Sequence, residues 1–379
     1  MADNTSSLEK RFNAKGPKRI LALDGGGIRG ALTLGFLIRI ETILRKRYNN
    51  DKLVLSDYFD LIGGTSTGAI IAASLAIGKS ASEVKEKYLQ LGSEIFGDKK
   101  GFLGVYTNYK YNEAPLKKAL KDMFGDIKIG DEGENGLKTG LCIVAKRLDT
   151  FSTWPVCNHP KAKYFAKNRF LLRDFVRAST AAPSYFIPEI IDVGDGQIGT
   201  FVDGGLSIMN NPSFQLFLMS TLSGFPFHWE TGRDNMLIIS VGTGRRDVKL
   251  AGKKYKNPNL LTIAQLAPEQ LMHDANELVE LTMQYLSESS TAREIDREVK
   301  DLKGDLINKT ETFTYNRFNI NLDKNSLVAS GITNLSDEQI EGLTEMDDAA
   351  NRFILADIGE KAAGDKLQEA HLPPAFDIK

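Results

Sequence analysis

Three short segments of the chain carry residue types that could act together in one reaction. Gly25 to Gly30 (GGGIRG) is a glycine-rich turn, Gly64 to Gly68 (GTSTG) places a serine between glycines, and Asp203 to Gly205 (DGG) supplies a carboxylate. Backbone amides can hold an oxyanion, a hydroxyl can attack a carbonyl carbon, and a carboxylate can accept the hydroxyl proton. These three groups are the components that acyl transfer requires.

The serine segment, centred on Ser66, is predicted to lie between a strand and a helix. Tyr58 to Ile62 (YFDLI) is typical of a short apolar strand, and Ala69 to Ile77 (AIIAASLAI) of a buried helix. In this context GxSxG places the serine on a tight turn at the carboxyl edge of a sheet. Gly64 and Gly68 let the strand and the helix approach closely. The alternative is an ordinary turn in which the serine only caps the helix.

The glycine turn has two interpretations. It is predicted to join a strand, Arg19 to Asp24, to a helix, Ala31 to Tyr48, and its glycines satisfy the GxGxxG pattern of dinucleotide-binding folds. Such a fold also needs an acidic residue about 20 positions later to hold the ribose. This chain has Arg45, Lys46 and Arg47 there, so the dinucleotide fingerprint is incomplete.

The second interpretation of the glycine turn is an oxyanion hole. Consecutive glycines leave the amides of Gly25, Gly26 and Gly27 without side chains to obstruct them, and Arg29 adds positive charge beside them. Gly30 completes the motif. The N–H of Thr67, next to the serine at the start of the following helix, is a further candidate donor.

Asp203 is the predicted proton acceptor for Ser66. A short strand, Ile198 to Val202 (IGTFV), precedes this aspartate, and Gly204 and Gly205 keep its surroundings open. In a glycine turn an aspartate often serves only the turn itself, which is the alternative interpretation.

A conventional triad would use a histidine as the proton acceptor. His228 and His273 follow Asp203 in the chain and could occupy that place. Neither stands in a glycine-rich loop after a clear strand, so a surface or packing role is the favoured interpretation of both histidines.

Four blocks of the sequence resemble the patatin-like phospholipase family in their order and spacing. They are ALDGGGIRG, GGTSTGAI, RASTAAPSYF (Arg177 to Phe186) and VDGGLSIMNNP (Val202 to Pro212). The later segments LIISVGTG (Leu237 to Gly244) and EMDDAAN (Glu345 to Asn351) also resemble the family. The resemblance implies a Ser-Asp dyad at Ser66 and Asp203 and an oxyanion hole on the glycine turn.

The resemblance also implies a substrate and partners. The substrate would be an acyl ester of a membrane glycerophospholipid or lysophospholipid, met by peripheral contact from the cytoplasm, and the scheme requires no metal or other cofactor. Some bacterial members are anti-phage effectors switched on by a cyclic nucleotide, so such an activator is an expected partner, and an oligomer is compatible with this role. Two other classes stay open: a nucleotide-binding protein that uses GxGxxG for phosphate, and a latent lipid-binding protein.

Composition is typical of a compact enzyme. The 379 residues are 42% hydrophobic with a net charge of −1, which permits a large core and argues against binding a nucleic-acid polymer. No apolar run reaches the ~18 residues of a membrane-spanning helix. The two cysteines, Cys142 and Cys157, lack the spacing of a metal site.

The order of predicted elements indicates the fold class. Strands and helices alternate from Arg19 to about Gly244, which predicts a mostly parallel central sheet with helices on both faces, in the family's case a three-layer α/β/α sandwich. We expect a polar arm at 1–17, a phospholipase domain at 18–362 with its catalytic core at about 18–244 and a helical extension at 245–362, and a tail at 363–379. The extension is predicted to contain a long helix, Leu261 to Glu288, a strand, Glu311 to Leu322, and a closing helix from about Asp337 to Lys361.

Two loops are candidates for contact with substrate or partner. Aromatic residues are spaced along Ile95 to Asn112, which could line an acyl channel or act as a lid, with ordinary burial of the rings as the alternative. Arg245 to Lys256 carries six basic residues and one acidic residue. Such a stretch is typical of contact with anionic head groups or with the phosphates of a regulator, and a solvated loop is the alternative.

Overall fold

The computed structural model describes residues 6–96, 109–162, 170–245, 260–295 and 302–378. Most of the aromatic segment Ile95 to Asn112, and all of the basic segment after Arg245, lie outside the described residues. The predictions for these two loops therefore stay predictions.

Within the described residues, nine strands form one sheet. They are β1 (Lys18–Leu23), β2 (Leu61–Thr65), β3 (Gly140–Arg147), β4 (Thr153–Cys157), β5 (Glu189–Gly194), β6 (Gln197–Asp203), β7 (Met236–Val241), β8 (Ser287–Glu288) and β9 (Phe313–Phe318).

Helices of very different lengths connect and cover these strands. They are α1 (Ser7–Asn13), α2 (Gly30–Tyr48), α3 (Leu55–Tyr58), α4 (Thr67–Ala76), α5 (Ala81–Phe96), α6 (Glu113–Phe124), α7 (Leu172–Ser179), α8 (Ser213–Thr221), α9 (Leu260–Tyr285), α10 (Lys324–Ala329), α11 (Asp337–Gly342) and α12 (Arg352–Lys366).

The sheet is mostly parallel and covered on both sides. Its order is β5, β6, β3, β2, β1, β7, β9, β8, with β4 paired to β3, and five of the eight pairings are parallel. Every residue of β2 and β7 is buried, which requires layers on both faces of the central strands. The predicted α/β/α architecture is confirmed.

Two predicted elements are wrong in position. The strand expected at Tyr58 to Ile62 begins only at Leu61, because Asp57 accepts a hydrogen bond from the N–H of Val54 and holds the preceding residues in the turn of α3. The closing helix expected from Asp337 is two helices, since α11 ends at Gly342 and α12 begins at Arg352.

The helical extension predicted after residue 244 also contributes strands to the central sheet. β9 pairs in parallel with both β7 and β8, so this part of the chain completes the central sheet. Both chain ends also pack on the core: Leu8 and Phe12 of α1 are buried, and so are Leu372 and Phe376. The domain boundaries stay a prediction, but neither the arm nor the tail is merely polar.

A buried ion pair joins the extension to the glycine turn. Arg317 on β9 donates to both carboxylate oxygens of Asp24, with 2.8 Å between Nη1 and Oδ1, and Nη1 also lies 2.8 Å from the Ser240 hydroxyl. Burial opposes the charge of Arg317, but the adjacent Asp24 carboxylate raises the pKa of this guanidinium above its usual range. The residue before Gly25 is therefore fixed by a strand almost three hundred positions away.

Replacing only one member of this pair should destabilise the fold strongly. Arg317→Met leaves the Asp24 carboxylate buried without its partner, and we expect a loss of about 3–5 kcal/mol in the free energy of unfolding, measured by urea denaturation. The double variant Asp24→Asn/Arg317→Met should regain much of that loss because neither charge remains. A control at the exposed pair, Lys324→Met, should change little. If Arg317→Met and Lys324→Met lower the free energy of unfolding equally, the stabilising role of the buried pair is contradicted.

Candidate active site

Ser66 occupies a sharp turn between β2 and α4. Its backbone has φ 55° and ψ −125°, a conformation that non-glycine residues rarely adopt and that costs about 1–3 kcal/mol. Gly64 and Gly68 allow this turn, since a Cβ on Gly64 would collide with the Gly68 carbonyl and one on Gly68 with the Leu23 carbonyl. The predicted strand, turn and helix around the serine are therefore present.

Ser66 and Asp203 are in direct contact. The serine Oγ donates to Oδ2 of Asp203 at 2.5 Å, and the N–H of Gly205 donates to Oδ1 at 2.8 Å. Both side chains are at least nine-tenths buried. The two carboxylate oxygens thus have separate tasks, one fixed by the backbone and one facing the hydroxyl.

The pairing of β2 and β6 with one edge of β3 brings Ser66 and Asp203 together. β2 pairs along β3 as far as Thr65 opposite Val144, and β6 pairs from Asp203 opposite Ala145 onwards. β4 pairs with the same stretch of β3, so it fills the other edge, and β2 and β6 must lie end to end on this one. β2 and β6 therefore both end at this point, where Ser66 follows the one and Asp203 is the last residue of the other. The carboxylate thus lies at the carboxyl end of the predicted strand, which runs antiparallel to β3.

Residues at the end of α7 close the gap between the two strands. The N–H of Ser66 donates to Oγ of Ser179 at 2.8 Å, and that hydroxyl donates to the Val144 carbonyl at 2.6 Å. The N–H of Asp203 donates to the Ala181 carbonyl at 3.0 Å. Ser179 and Ala181 both belong to the block RASTAAPSYF, for which the sequence alone predicted no role. Its small residues and hydroxyl groups are the feature that permits these contacts.

Burial makes Asp203 a stronger base than an ordinary aspartate. Desolvation raises the pKa of its carboxyl to about 6, against the lowering effects of the hydrogen bonds from Ser66 and Gly205. A carboxylate with a pKa near the working pH suits general-base chemistry.

The candidate histidines lie elsewhere. His228 is exposed on the loop before β7, at the opposite end of the strands from Ser66, and its Nε2 lies 3.4 Å from the Ser223 carbonyl. His273 is on α9, where Nδ1 lies 3.6 Å from Asp274. Neither replaces Asp203 as the partner of the serine hydroxyl.

The glycine turn lies directly against the serine. A Cβ on Gly25 would lie 3.0 Å from the Ser66 Cβ, so only glycine permits this approach. However, the N–H of Gly25 already donates to the Asn210 carbonyl at 3.1 Å. This hydrogen bond already uses the Gly25 amide, and the glycine brings the turn close to the serine. The oxyanion hole on the glycine turn stays a prediction, with Gly26 and Gly27 as the other candidate donors.

The directions of the Gly26 and Gly27 N–H groups follow from the contacts of the carbonyls in the same peptide planes. In a trans peptide the N–H points opposite to the preceding carbonyl. The Gly25 carbonyl accepts from the Thr243 hydroxyl at 3.1 Å, and the Gly26 carbonyl accepts from Arg29, at 3.2 Å from its N–H and 3.3 Å from Nε. The N–H groups of Gly26 and Gly27 are thereby directed away from these contacts.

More distant segments hold the turn in place. The Met346 carbonyl accepts from the N–H of Ile28 at 2.8 Å, and the Tyr88 hydroxyl donates to the Gly27 carbonyl at 2.5 Å. Gly27 has φ 58°, and a Cβ there would collide with the Met346 carbonyl. Met346 lies in the interruption between α11 and α12, which explains why the predicted single helix is broken.

The remaining candidate residues surround these groups. Gly30 begins α2 beneath the Tyr88 hydroxyl, Thr67 is the first residue of α4, and Gly204 packs against the Val144 carbonyl. Among the helices of the described part of the chain, none is long and apolar enough to cross a membrane. In that same part, no group of three or more histidines, cysteines and carboxylates could hold a metal ion.

Comparison with known proteins identifies the family. The family model described as patatin-like phospholipase matches residues 21–217. A Vibrio cholerae protein named cGAMP-activated phospholipase is 32% identical over 69% of this chain and 77% of its own length. An Escherichia coli protein of the same name is 30% identical over 62% of this chain and 64% of its own length. Patatin-like protein 2 of Arabidopsis thaliana is 31% identical, covering 59% of each chain.

The alignments span about three fifths to three quarters of the lengths of these relatives. The residues that the family model matches include the glycine turn, the serine turn and Asp203. The chain belongs to the patatin-like phospholipase family.

Proposed function

We propose that this protein hydrolyses acyl esters of membrane phospholipids or lysophospholipids through a Ser66–Asp203 dyad. The observation that carries the proposal is the 2.5 Å hydrogen bond between Ser66 Oγ and a buried Asp203 carboxylate beside a glycine turn. Asp203 accepts the proton as Oγ bonds to the ester carbon. The carbonyl π electrons move to its oxygen, and their return expels the alcohol, which takes the proton from Asp203. Water then attacks the acyl-serine by the same path, which releases the fatty acid and restores the serine hydroxyl.

The oxyanion of each tetrahedral intermediate would be held by the amides of Gly26 and Gly27. Their orientation by Thr243 and Arg29 supports this assignment, because donors fixed before reaction cost no reorganisation when charge develops. The N–H of Thr67, in the first turn of α4, is a further donor in this proposal.

The nucleotide-binding alternative is less well supported. Two of the turn's amides, those of Gly25 and Ile28, are already bonded to the carbonyls of Asn210 and Met346. The turn faces a serine elbow rather than an open crevice. A latent lipid-binding protein would keep the same geometry, so activity itself must decide.

Regulation by a cyclic nucleotide is proposed from the relatives alone. The proteins from Vibrio cholerae and Escherichia coli carry cGAMP activation in their names. We infer that a cyclic nucleotide stimulates this chain and that its action on membrane lipid serves anti-phage defence. The test is phospholipid hydrolysis with and without added cGAMP; an unchanged rate across concentrations would reject this activator.

Removing either member of the dyad should abolish hydrolysis. Ser66→Ala and Asp203→Asn should each lower turnover of a fluorogenic phospholipid by about 10⁴-fold or more, because groups that act as a unit lose nearly everything when one is removed. Circular dichroism should show an unchanged fold. His228→Ala and His273→Ala are the controls and should keep parental activity; a large loss in either one, or residual activity in Asp203→Asn, would show that the base is misassigned.

The pH profile should report the buried carboxyl. Only ionised Asp203 can accept the serine proton, so kcat/KM should decline below a pH of about 6, its raised pKa. Stability should follow the opposite trend. Because the pKa is raised on folding from 3.8, the stabilising effect of the proton is present below that value and is lost as pH rises through about 6.

Asp203→Asn should therefore have a higher thermal unfolding midpoint than the parent at pH 8, and the difference should vanish near pH 4. Differential scanning calorimetry at the two pH values measures it. A lower midpoint at pH 8 would mean that the ionised carboxylate stabilises the fold.

Thr243→Val tests whether the glycine turn is aimed by its carbonyl contacts. This nearly isosteric change removes the hydroxyl that binds the Gly25 carbonyl, and we expect kcat to fall about fivefold with little change in KM, since one hydrogen bond contributes about 1 kcal/mol. Thr139→Val is the matched control, because that buried hydroxyl binds the Phe59 carbonyl at the other end of the sheet. It should lower stability similarly and leave kcat unchanged. Equal kcat effects would indicate a purely structural role for Thr243.

A further inference from the structure

Six exposed apolar side chains lie on β5 and β6 and on the turns that follow β3 and β6, and we call them the apolar rim. Phe151, Ile190 and Ile198 are 81%, 68% and 65% exposed. The other members are Leu148, Leu206 and Ile208. Large apolar residues exposed singly are ordinary, but several on adjoining turns mark an interaction surface.

The rim rises from the edge of the sheet that carries Ser66. Leu148 directly follows β3 and lies four residues beyond Val144, the partner of Thr65. At about 3.3 Å per residue, this places it about 13 Å beyond Thr65, the residue before the serine. Leu206 and Ile208 follow Asp203 in its own turn. A flat surface resting on the rim would therefore face the active site.

The upper part of the rim is contiguous. The N–H of Leu148 donates to the Thr200 carbonyl at 2.8 Å, and Thr200 pairs with Ile190 across β5 and β6. Ile198 is on the same face of this two-stranded ribbon, since it is two residues from Thr200. Phe151 closes the adjoining turn, where its N–H lies 3.4 Å from the Leu148 carbonyl.

Phe151 is in a conformation that its residue type does not favour. Its φ is 55°, in the left-handed region where glycine and asparagine are preferred. A bulky aromatic residue there costs backbone strain, and its exposure gains nothing in water. Strained residues of this kind cluster at active sites and ligand-contact sites.

We propose that the apolar rim inserts into the interface of a phospholipid bilayer and so presents the acyl ester to Ser66; this inference rests on the proposed function. A bilayer fits because the ester groups lie at the boundary of head groups and acyl chains, the depth that short apolar side chains reach. Asp192 shares the exposed face of Ile190, and Asp149 pairs with Arg147. The contact is thus apolar rather than basic, and it does not require anionic lipid.

The test measures binding without turnover. In a Ser66→Ala background, cosedimentation with phosphatidylcholine vesicles gives a partition coefficient, and the triple change Phe151→Asn/Ile190→Thr/Ile198→Thr should lower it about tenfold or more. With Ser66 intact, the same triple variant should hydrolyse a short soluble ester at the parental rate. Phe151→Asn alone should leave the unfolding midpoint unchanged or raise it, because asparagine tolerates positive φ.

Leu222→Thr is the control, an exposed apolar residue after α8 at the opposite end of the strands, and it should leave the partition coefficient unchanged. An unchanged partition coefficient in the triple variant overturns the proposal. It is also overturned if light scattering shows a dimer of the parent that the triple variant loses while vesicle binding persists, since the face would then bind a second copy. If the parent protein does not hydrolyse esters, the proposed function is rejected. The cosedimentation experiment would still test whether the apolar rim binds the bilayer.

Discussion

The active site depends on two strands of opposite direction sharing one edge of β3. β2 ends with Thr65 opposite Val144 and β6 ends with Asp203 opposite Ala145, so the residue before Ser66 and Asp203 lie opposite consecutive residues of β3. The side chains of a strand alternate between its two faces, and a slip of β6 by one residue would turn the carboxylate to the other side of the sheet. The contact between Ser66 and Asp203 therefore depends on the register of β6 on β3 as much as on the two residues themselves.

A break in a ladder leaves backbone groups without partners, and the site must satisfy them without filling the space for substrate. Ser179 and Ala181 at the end of α7 do so, because they accept from the N–H groups of Ser66 and Asp203. The remaining costs are the strained backbone of Ser66 and the buried carboxylate of Asp203. Each cost gives a property that the proposed chemistry needs, since the strained turn exposes the serine hydroxyl and burial raises the pKa of the Asp203 carboxyl. Selection for stability alone would remove both.

The local sequence patterns predicted those parts of the site that consist of residues close together in the sequence. The glycines at 64 and 68 and the apolar helix after them indicated the turn at the serine, and the predicted strand Ile198 to Val202 lies within β6. The contacts missed are long-range ones. The pattern of Ile198 to Val202 does not reveal that β6 runs antiparallel to β3, and a strand-like stretch at 311 to 322 does not show that Arg317 pairs with Asp24.

Availability of a backbone amide is likewise invisible in sequence. Gly25, Gly26 and Gly27 are the same residue type, yet only the first donates to Asn210, since that choice depends on where the turn after β6 packs. The broken helix between α11 and α12 has the same origin. The prediction continued one helix from Asp337 to about Lys361, but the Met346 carbonyl between α11 and α12 accepts from the N–H of Ile28, a contact that the local sequence does not show.

These long-range contacts make the catalytic core and the extension one physical unit. The predicted boundary at 244 separates Asp24 from Arg317 and Ile28 from Met346, and a chain ending there would bury one unpaired carboxylate and leave a backbone N–H unsatisfied at the glycine turn. Gly26 and Gly27, the proposed oxyanion donors, lie between Asp24 and Ile28 in the sequence. The position of β9 and of the segment before α12 therefore sets the position of the turn, and a displacement of either one would move Gly26 and Gly27 relative to Ser66.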